Sequence, residues 1–272
     1  MFLRLKYTGR TAIPVEIEGL TPAAVRGKPL SEIEKYPIFH GNQQLPLAEL
    51  FSVSGDPASL TFEFEGDLAG VHWIGAGMTE GTIRVHGPAG RHVGSGMTGG
   101  EIHVHGDAGD WLGSELHGGL IHIRGNAGNL VGAAYRGSRK GMTGGTILVN
   151  GDVGDELGYT MRRGLIAVGG AAGDAPAFNM IAGSVLVFGK CGIRPAAGMR
   201  RGTLGLFGPN PPPLLPTFRR ECSFRPPFLP LVFQELRRLA FPFDVGLATS
   251  DYTLYSGDLV TLGRGEVLIR EN

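Results

Sequence analysis

Apolar and polar positions alternate in short runs that recur along most of the chain. Each run follows a glycine and contains two apolar residues separated by one other residue, as in Ile102 and Val104. Alternation with a period of two predicts a strand with one buried face. The other runs are Ile83/Val85, Ile121/Ile123, Ile147/Val149, Ile166/Val168, Val185/Val187 and Leu204/Leu206. Each repeat therefore predicts one short strand.

The glycines that open these runs recur every 19 residues with one exception. They are Gly81, Gly100, Gly119, Gly145, Gly164, Gly183 and Gly202. The exceptional interval is 26 residues long and contains a seven-residue insertion at residues 135–141. The polar and glycine-rich composition of this insertion predicts an extruded surface loop.

Nineteen residues are too few for two helices and too many for one strand, but they suit one turn of short strands joined by glycine corners. We therefore predict an all-β fold, a single-stranded right-handed parallel β-helix, with the handedness taken from the general crossover preference. The predicted domains are an N-terminal cap at residues 1–59, the glycine-rich β-helix at 60–208 and a Pro/Phe-rich C-terminal tail at 209–272. Short helices are expected near residues 30–35 and 231–239.

Composition narrows the functional class. The 46 glycines and 18 prolines exclude a mainly helical protein. Lys+Arg and Asp+Glu balance at 25 each, so there is no basic excess for binding nucleic acid. No run of apolar residues is long enough for a membrane span, no signal peptide is recognised, and Cys191 and Cys222 are too few for a disulfide scaffold. These features predict a soluble protein of a reducing compartment, the cytoplasm, without nucleic-acid or membrane partners.

Four histidines lie on the predicted outward face of neighbouring strands: His86, His103, His105 and His122. Imidazoles on stacked strands about 5 Å apart can share a transition metal, so one hypothesis is a surface metal site that includes Glu101. The alternative, which we prefer, is a solvated or interface face interleaved with Arg84 and Arg124, because a flat outward face offers no enclosing ligands.

Farther along the chain the outward positions become apolar, at Leu148, Leu186, Phe188 and Phe207. Such a stripe would be a sticky patch in water. It is either an interface with a partner protein or a surface covered by the chain's own tail, and both can hold. No nucleophile–base pair, paired carboxylates or cofactor motif stands out, so the sequence favours a scaffold with no catalytic or cofactor-binding residues.

The segment Gly-Met-Thr-Gly-Gly-Glu-Ile-His-Val-His-Gly-Asp-Ala-Gly-Asp-Trp-Leu-Gly at residues 96–113, repeated in similar form at 141–158, resembles the glycine-rich β-helix family. That family includes the C-terminal domain of glutamate synthase and the C subunit of formylmethanofuran dehydrogenase. The Met-Phe-Leu-Arg-Leu start and the closing segments 255–258 and 263–267 resemble the latter, in particular its bacterial counterpart in the formyltransferase/hydrolase complex.

The resemblance implies a structural subunit of a complex that converts formyl-tetrahydromethanopterin to formate via formylmethanofuran in formaldehyde oxidation. The implied partners are an amidohydrolase-like A subunit, a B subunit, and a formyltransferase subunit. These partners would carry zinc and a methanofuran-type carrier, with no cofactor in this chain. Three alternatives remain: the C subunit of a molybdenum or tungsten formylmethanofuran dehydrogenase, a glutamate-synthase-like spacer, and a metal hydrolase using the histidine face.

Overall fold

The computed structural model describes residues 2–271 and consists mainly of β-strands. The strands are β1 (Leu3–Tyr7), β2 (Val15–Glu16), β3 (Pro37–His40), β4 (Gln43–Pro46), β5 (Phe51–Gly55), β6 (Thr61–Glu65), β7 (Val71–His72), β8 (Thr82–Val85), β9 (Glu101–Val104), β10 (Leu120–Ile123), β11 (Thr146–Val149), β12 (Leu165–Val168), β13 (Ser184–Val187), β14 (Arg201–Leu206), β15 (Arg219–Phe224), β16 (Tyr252–Gly257) and β17 (Arg264–Arg270). The α-helices are α1 (Pro22–Val25), α2 (Leu30–Ile33) and α3 (Leu229–Arg238), and short 3₁₀-helices span Leu47–Glu49, Pro57–Ser59 and Val245–Thr249.

The repeats build a large parallel sheet. Strands β8 to β14 pair in order, each parallel to the next, so that Ile102 lies opposite Ile83 on one side and Ile121 on the other. The register is preserved across the insertion, because Ile121 pairs with Ile147. The predicted strands and the all-β class are therefore confirmed, with each repeat contributing one strand to the sheet.

A second parallel ladder runs beside the first. It consists of single bridges between equivalent residues of successive repeats: Leu68, Ala89, Ala108, Ala127, Val153, Ala172 and Cys191. The long flexible side chains of the repeats are fully buried in the same hydrophobic core: Met78, Met97, Leu116, Met142, Met161, Met180 and Met199. Each repeat thus buries its inward face against its neighbours.

Glycine is required where successive repeats approach most closely. A Cβ on Gly106 would lie 2.6 Å from the carbonyl carbon of Gly87, one repeat earlier. Gly100 combines a similar crowding with a φ of +88°, a conformation that residues with a Cβ adopt only under strain. The glycine period is therefore a packing requirement of the stack.

Asp and Asn side chains connect neighbouring repeats along two lines on the surface. In one, the Oδ1 atom of Asp110 accepts a hydrogen bond from the backbone N–H of Asn129 at 2.7 Å, and Oδ1 of Asn129 accepts one from Asp155 at 2.8 Å. The other line joins Asp107, Asn126, Asp152 and Ala171 in the same way. These side chains therefore satisfy backbone donors of the next repeat.

The two ends of the main sheet are extended by flanking segments. At the N-terminal end, β1 pairs in parallel with β6 and antiparallel with β5. At the C-terminal end, β17 pairs in parallel with β14, and β16 and β15 follow as antiparallel strands. A separate four-stranded sheet has the order β4-β3-β2-β7. Both expected helices occur, as α2 and α3. Within residues 2–271, no helix has the length and apolar character needed to cross a membrane.

Candidate functional site

The C-terminal segment covers the apolar stripe on the outer face of the sheet. Leu148, Leu186 and Phe207 are at most 4% exposed, and Phe188 is half-buried. The ring of Phe188 lies 5.5 Å from that of Phe241, and the ring of Phe207 lies 5.8 Å from that of Phe233 in α3. Of the two alternatives, the chain's own tail is therefore the cover in this structure. A partner interface at this place stays a prediction, and it would have to form on the outer surface of the tail.

The four histidines lie within strands β9 and β10 or directly after β8 and β9, and of these His86 and His105 are exposed. His103 and His122 are paired in register with ring centroids 6.4 Å apart, and the rings of His86 and His105 are 5.1 Å apart. A carboxylate oxygen of Glu101 lies 3.0 Å from Nε2 of His103. The face therefore combines imidazole pairs with carboxylate contacts.

His122 differs from the others because it is only 1% exposed. Its Nε2 lies 2.9 Å from Oδ1 of Asn150. Burial lowers the pKa of His122, and burial together with the neighbouring His86 and Arg124 lowers the pKa of His105. Within residues 2–271, no group of three or more His, Cys, Asp or Glu side chains is arranged to hold a metal ion. The contacts are those of a hydrogen-bonded surface. The metal-site hypothesis stays a prediction, which metal analysis of the wild-type chain and of His103→Ala would test.

The two cysteines lie in different environments. Cys191 belongs to the second ladder and is half-buried, whereas Cys222 is exposed in β15. Burial, helped by the carboxylate of Asp174, raises the pKa of Cys191 to about 12. The Cys191 thiol is therefore protonated at neutral pH and is a poor nucleophile.

An aromatic cluster that the sequence analysis did not single out lies at the corners of three successive repeats. Trp73, His92 and Trp111 occupy equivalent positions 19 residues apart, and the rings of Trp73 and His92 stack at 4.0 Å with an angle of 6°. The ring of Tyr135, from the insertion, lies 5.0 Å from that of Trp111. The spacing of the first three residues was visible in the sequence, but the contribution of the insertion was not. We call these four residues the aromatic cluster.

The three corner residues have left-handed backbone conformations. The φ angles are 65° for Trp73, 65° for His92 and 63° for Trp111. This conformation costs a side-chain-bearing residue about 1 kcal/mol or more. Ring stacking offsets part of this cost, since aromatic pairs contribute about 0.5–1.5 kcal/mol beyond the area they bury. The corner therefore holds these rings in a fixed row.

Hydrogen bonds fix Tyr135 within the cluster. Its hydroxyl lies 2.9 Å from Nδ1 of His92 and donates to Oγ of Ser95 at 2.8 Å. Because the hydroxyl has one proton, His92 then donates from Nδ1. The backbone N–H of Tyr135 donates to a carboxylate oxygen of Glu115 at 3.1 Å. Burial, with smaller contributions from the charges of Arg91 and His72, lowers the pKa of His92 to about 4, so this ring is neutral at neutral pH.

Two surface cavities flank the aromatic cluster. One has a volume of about 510 Å³ and is lined by Trp73, Ser95 and Tyr135 among others, and the other, of about 480 Å³, is lined by Trp111, Tyr159 and Phe178. Their walls offer aromatic faces and hydrogen-bonding groups. A neutral imidazole with a pKa of about 4 is poorly matched to proton transfer at neutral pH. The His92 ring is therefore better suited to bonding Tyr135 than to acid–base chemistry.

Comparison with known proteins identifies relatives. No protein-family model matches the chain. It is 37% identical over 85 residues to the C subunit of the tungsten-containing formylmethanofuran dehydrogenase 2 of Methanothermobacter thermautotrophicus, covering 30% of this chain and 32% of that protein. It is 40% identical over 85 residues to the C subunit of the molybdenum-containing formylmethanofuran dehydrogenase 1 of Methanosarcina barkeri, covering 30% and 28%. The aligned segment thus spans about a third of these curated relatives.

A solved structure matches over the full length. A chain in the crystal structure of the formyltransferase/hydrolase complex FhcABCD from Methylorubrum extorquens, in complex with methylofuran, is similar with a TM-score of 0.90 and 35% identity. The match covers 99% of this chain and 100% of that chain. Taken with the curated relatives, this full-length likeness shows that the chain belongs to the family of formylmethanofuran dehydrogenase C subunits.

Proposed function

We propose that this chain is a non-catalytic structural subunit of a formyltransferase/hydrolase complex. In this function the complex converts formyl-tetrahydromethanopterin to formate via formylmethanofuran, as a step of formaldehyde oxidation. The observation that carries the proposal is the full-length similarity, at 35% identity, to a chain of the FhcABCD complex. A match of this length includes the flanking segments as well as the repeats.

The structural role rests on a single-stranded right-handed parallel β-helix with 19-residue coils, an N-terminal cap at 1–59 and a tail at 209–272. Two parallel ladders with a constant register and a shared buried core support this architecture. Strands β1 and β17 continue the main sheet beyond the repeats at its two ends. The flanking segments therefore protect sheet edges that would otherwise be open to aggregation.

Two side chains that could act as a general base or a nucleophile are poorly suited to these roles. His92 is neutral and is bound to Tyr135, and the Cys191 thiol is protonated. The proposal therefore assigns the chemistry to partners: an amidohydrolase-like A subunit that carries zinc, a B subunit, and a formyltransferase subunit, with a methanofuran-type carrier. The four-letter name of the FhcABCD complex and the methylofuran in its crystal support this assignment. The unpaired cysteines support a cytoplasmic location.

The alternative of a molybdenum or tungsten dehydrogenase subunit is less well supported. Similarity to the tungsten and molybdenum dehydrogenase subunits covers only 30% of the chain, compared with 99% for the hydrolase complex. No observation favours a glutamate-synthase-like spacer.

Purification of the complex with and without this chain tests the proposal. We expect the chain alone to release no formate from formyl-tetrahydromethanopterin, and the complete complex to release it. Formate release by the isolated chain would overturn the non-catalytic assignment. Mass spectrometry of proteins that co-purify from the native host identifies the complex. A molybdopterin-binding partner with bound molybdenum or tungsten would establish the dehydrogenase instead.

A further inference from the structure

Five arginines gather on one side of the last repeats. Arg162 and Arg163 follow the buried Met161, and Arg200 and Arg201 follow the buried Met199 two repeats later. The fifth, Arg139, comes from the insertion. The equivalent positions of earlier repeats hold Thr98-Gly99, His117-Gly118 and Thr143-Gly144. We call Arg139, Arg162, Arg163, Arg200 and Arg201 the arginine face.

The arginine face borders two neighbouring clefts that share Ile181. The first, of about 340 Å³, is lined by Arg162, Arg163 and Arg201 together with glycine, alanine and Ile181. The second, of about 380 Å³, is lined by Arg139 and Arg200 with Thr160, Asn179, Gly198, Ile181 and Thr261. No Asp or Glu is among the described residues that line either cleft. The clefts therefore offer guanidinium groups around Ile181, the largest apolar side chain that lines them.

These five guanidinium groups have no ion-pair partner among residues 2–271, although other Arg and Lys side chains of the described residues form eight ion pairs, such as Arg4 with Glu65 at 2.9 Å. One carboxylate beside the second cleft is that of Asp258, which contacts Gly198 and is 4% exposed. Its oxygens accept hydrogen bonds from the backbone N–H groups of Gly198 and Val260. Since the whole chain has a formal charge of zero, this side carries a local positive excess.

We propose that the arginine face docks an acidic segment of a partner protein of the complex, in which carboxylates flank an apolar residue that contacts Ile181. The planar guanidinium fork matches carboxylate geometry and binds it through two parallel hydrogen bonds. Equivalent positions two repeats apart are separated by roughly 10 Å, which an extended segment spans in about three residues. This inference rests on the proposed function, since it names one contact that joins the chain to its complex.

An acidic protein segment fits this face better than nucleic acid. No aromatic side chain among the described residues lines either cleft, so stacking platforms for bases are lacking there. The five arginines also belong to a chain that has no basic excess overall. A short carboxylate-rich segment with one apolar residue matches the two clefts and the Ile181 that they share.

Charge reversal in the assembled complex tests the proposal. The exposed pair Arg163 and Arg200 is replaced in the variant Arg163→Glu/Arg200→Glu, with Arg163→Gln/Arg200→Gln as a milder change and Arg10→Glu as the control. Arg10 is also exposed and has no ion pair among the described residues. We expect the double reversal to weaken binding of the partner proteins at least about tenfold and to abolish most of the salt dependence of binding, while Arg10→Glu binds as wild type does.

A photo-crosslinking residue in place of Ile181 identifies the occupant of the clefts. We expect it to react with a partner segment that contains Asp or Glu on both sides of an apolar residue. Wild-type binding by the folded double reversal, a crosslink to a segment without carboxylates, or binding lost on nuclease treatment would overturn the proposal while leaving the proposed function intact. If wild type itself fails to co-purify with the other members of a formyltransferase/hydrolase complex, the proposed function fails and this inference fails with it.

Discussion

Nδ1 of His92 lies 2.9 Å from the hydroxyl oxygen of Tyr135, a residue 43 positions later in the chain. The contact joins a corner of the early repeats to the only insertion that interrupts the 19-residue period from Gly81 to Gly202. It also places an imidazole of low pKa between two indole rings, with Trp73 stacked on one side at 4.0 Å and Trp111 on the other at 6.2 Å. The insertion is therefore bound to the stack of repeats and not merely extruded from it.

Acid should destabilise the chain in part through His92. Its pKa is about 4 in the folded chain and about 6.5 when unfolded, so its contribution to stability is fully present above pH 6.5 and is lost as the pH falls towards 4. After allowance for partial solvent screening, this contribution is about 2 kcal/mol. Urea unfolding between pH 7 and pH 4 measures it. His92→Phe, which keeps a ring in the row, should show a shallower loss of stability than wild type.

Other histidines also contribute to the pH dependence of stability in that experiment. Burial also lowers the pKa of His72 and of His122, so the variant should retain part of the pH dependence. His117→Phe is the control, because His117 is exposed and lies outside the aromatic cluster. A pH dependence of His92→Phe equal to that of wild type would show that His92 takes up its proton without cost in the folded chain.

Phe233 should anchor the tail to the outer face of the sheet. This α3 residue is fully buried and contacts the rings of Phe188, Phe207 and Phe243. Phe233→Ala should lower the free energy of unfolding by about 3 kcal/mol and raise hydrogen exchange in α3. Leu231→Ala, on the same helix but 68% exposed, should change it by less than about 0.5 kcal/mol. Equal effects of the two variants would mean that the tail does not pack on the stripe in solution.

The line of Asp110, Asn129, Asp155 and Asp174 should be sensitive to charge. Asn129 separates Asp110 from the two carboxylates that follow. Asn129→Asp creates an unbroken row of stacked carboxylates and should lower stability by about 1 kcal/mol, with less effect at high salt. Asp155→Asn keeps the acceptor oxygen and relieves repulsion, so it should raise stability. Urea unfolding at low and high salt measures both, and changes of the same sign would contradict the electrostatic explanation.

The close approach of successive repeats should make Gly106 intolerant of a side chain. In Gly106→Ala the new Cβ would lie 2.6 Å from the carbonyl carbon of Gly87, and the cost should be about 2 kcal/mol or more. Gly70→Ala is the matched control, because a Cβ there meets nothing within 4 Å, and its stability should equal or slightly exceed that of wild type. Thermal unfolding compares them. Similar midpoints would mean that the repeats are less tightly stacked than described.

The strands, the core side chains and α3 were predictable because they depend on local patterns. The alternation at Ile102 and Val104 arises because one face of the strand is buried. The same pattern recurs in each repeat with the 19-residue period. The Asp and Asn residues follow the glycines of the repeats, where such residues commonly form turns. Their role in bonding the backbone of the next repeat depends on how repeats stack, which turn propensity does not report.

The aromatic cluster and the cover of the apolar stripe were not predictable in the same way. Trp73 and His92 have the left-handed conformation that favours glycine, so local preference argues against their positions. Tyr135 reaches them only through the path of the insertion. Likewise, whether the tail or a partner covers Leu186 depends on where β17 docks, since β17 beside β14 brings α3 and the following aromatic residues back over the sheet.

The unbroken register between Ile121 and Ile147 has an evolutionary consequence. A segment inserted at a corner can extend away from the stacked strands without changing their register. The stack itself can gain or lose only whole repeats of 19 residues. Each such addition would lengthen the stack by one strand spacing, about 4.8 Å, and leave both terminal surfaces unchanged. The distance between proteins bound at opposite ends of the stack could therefore change only in discrete increments of one strand spacing.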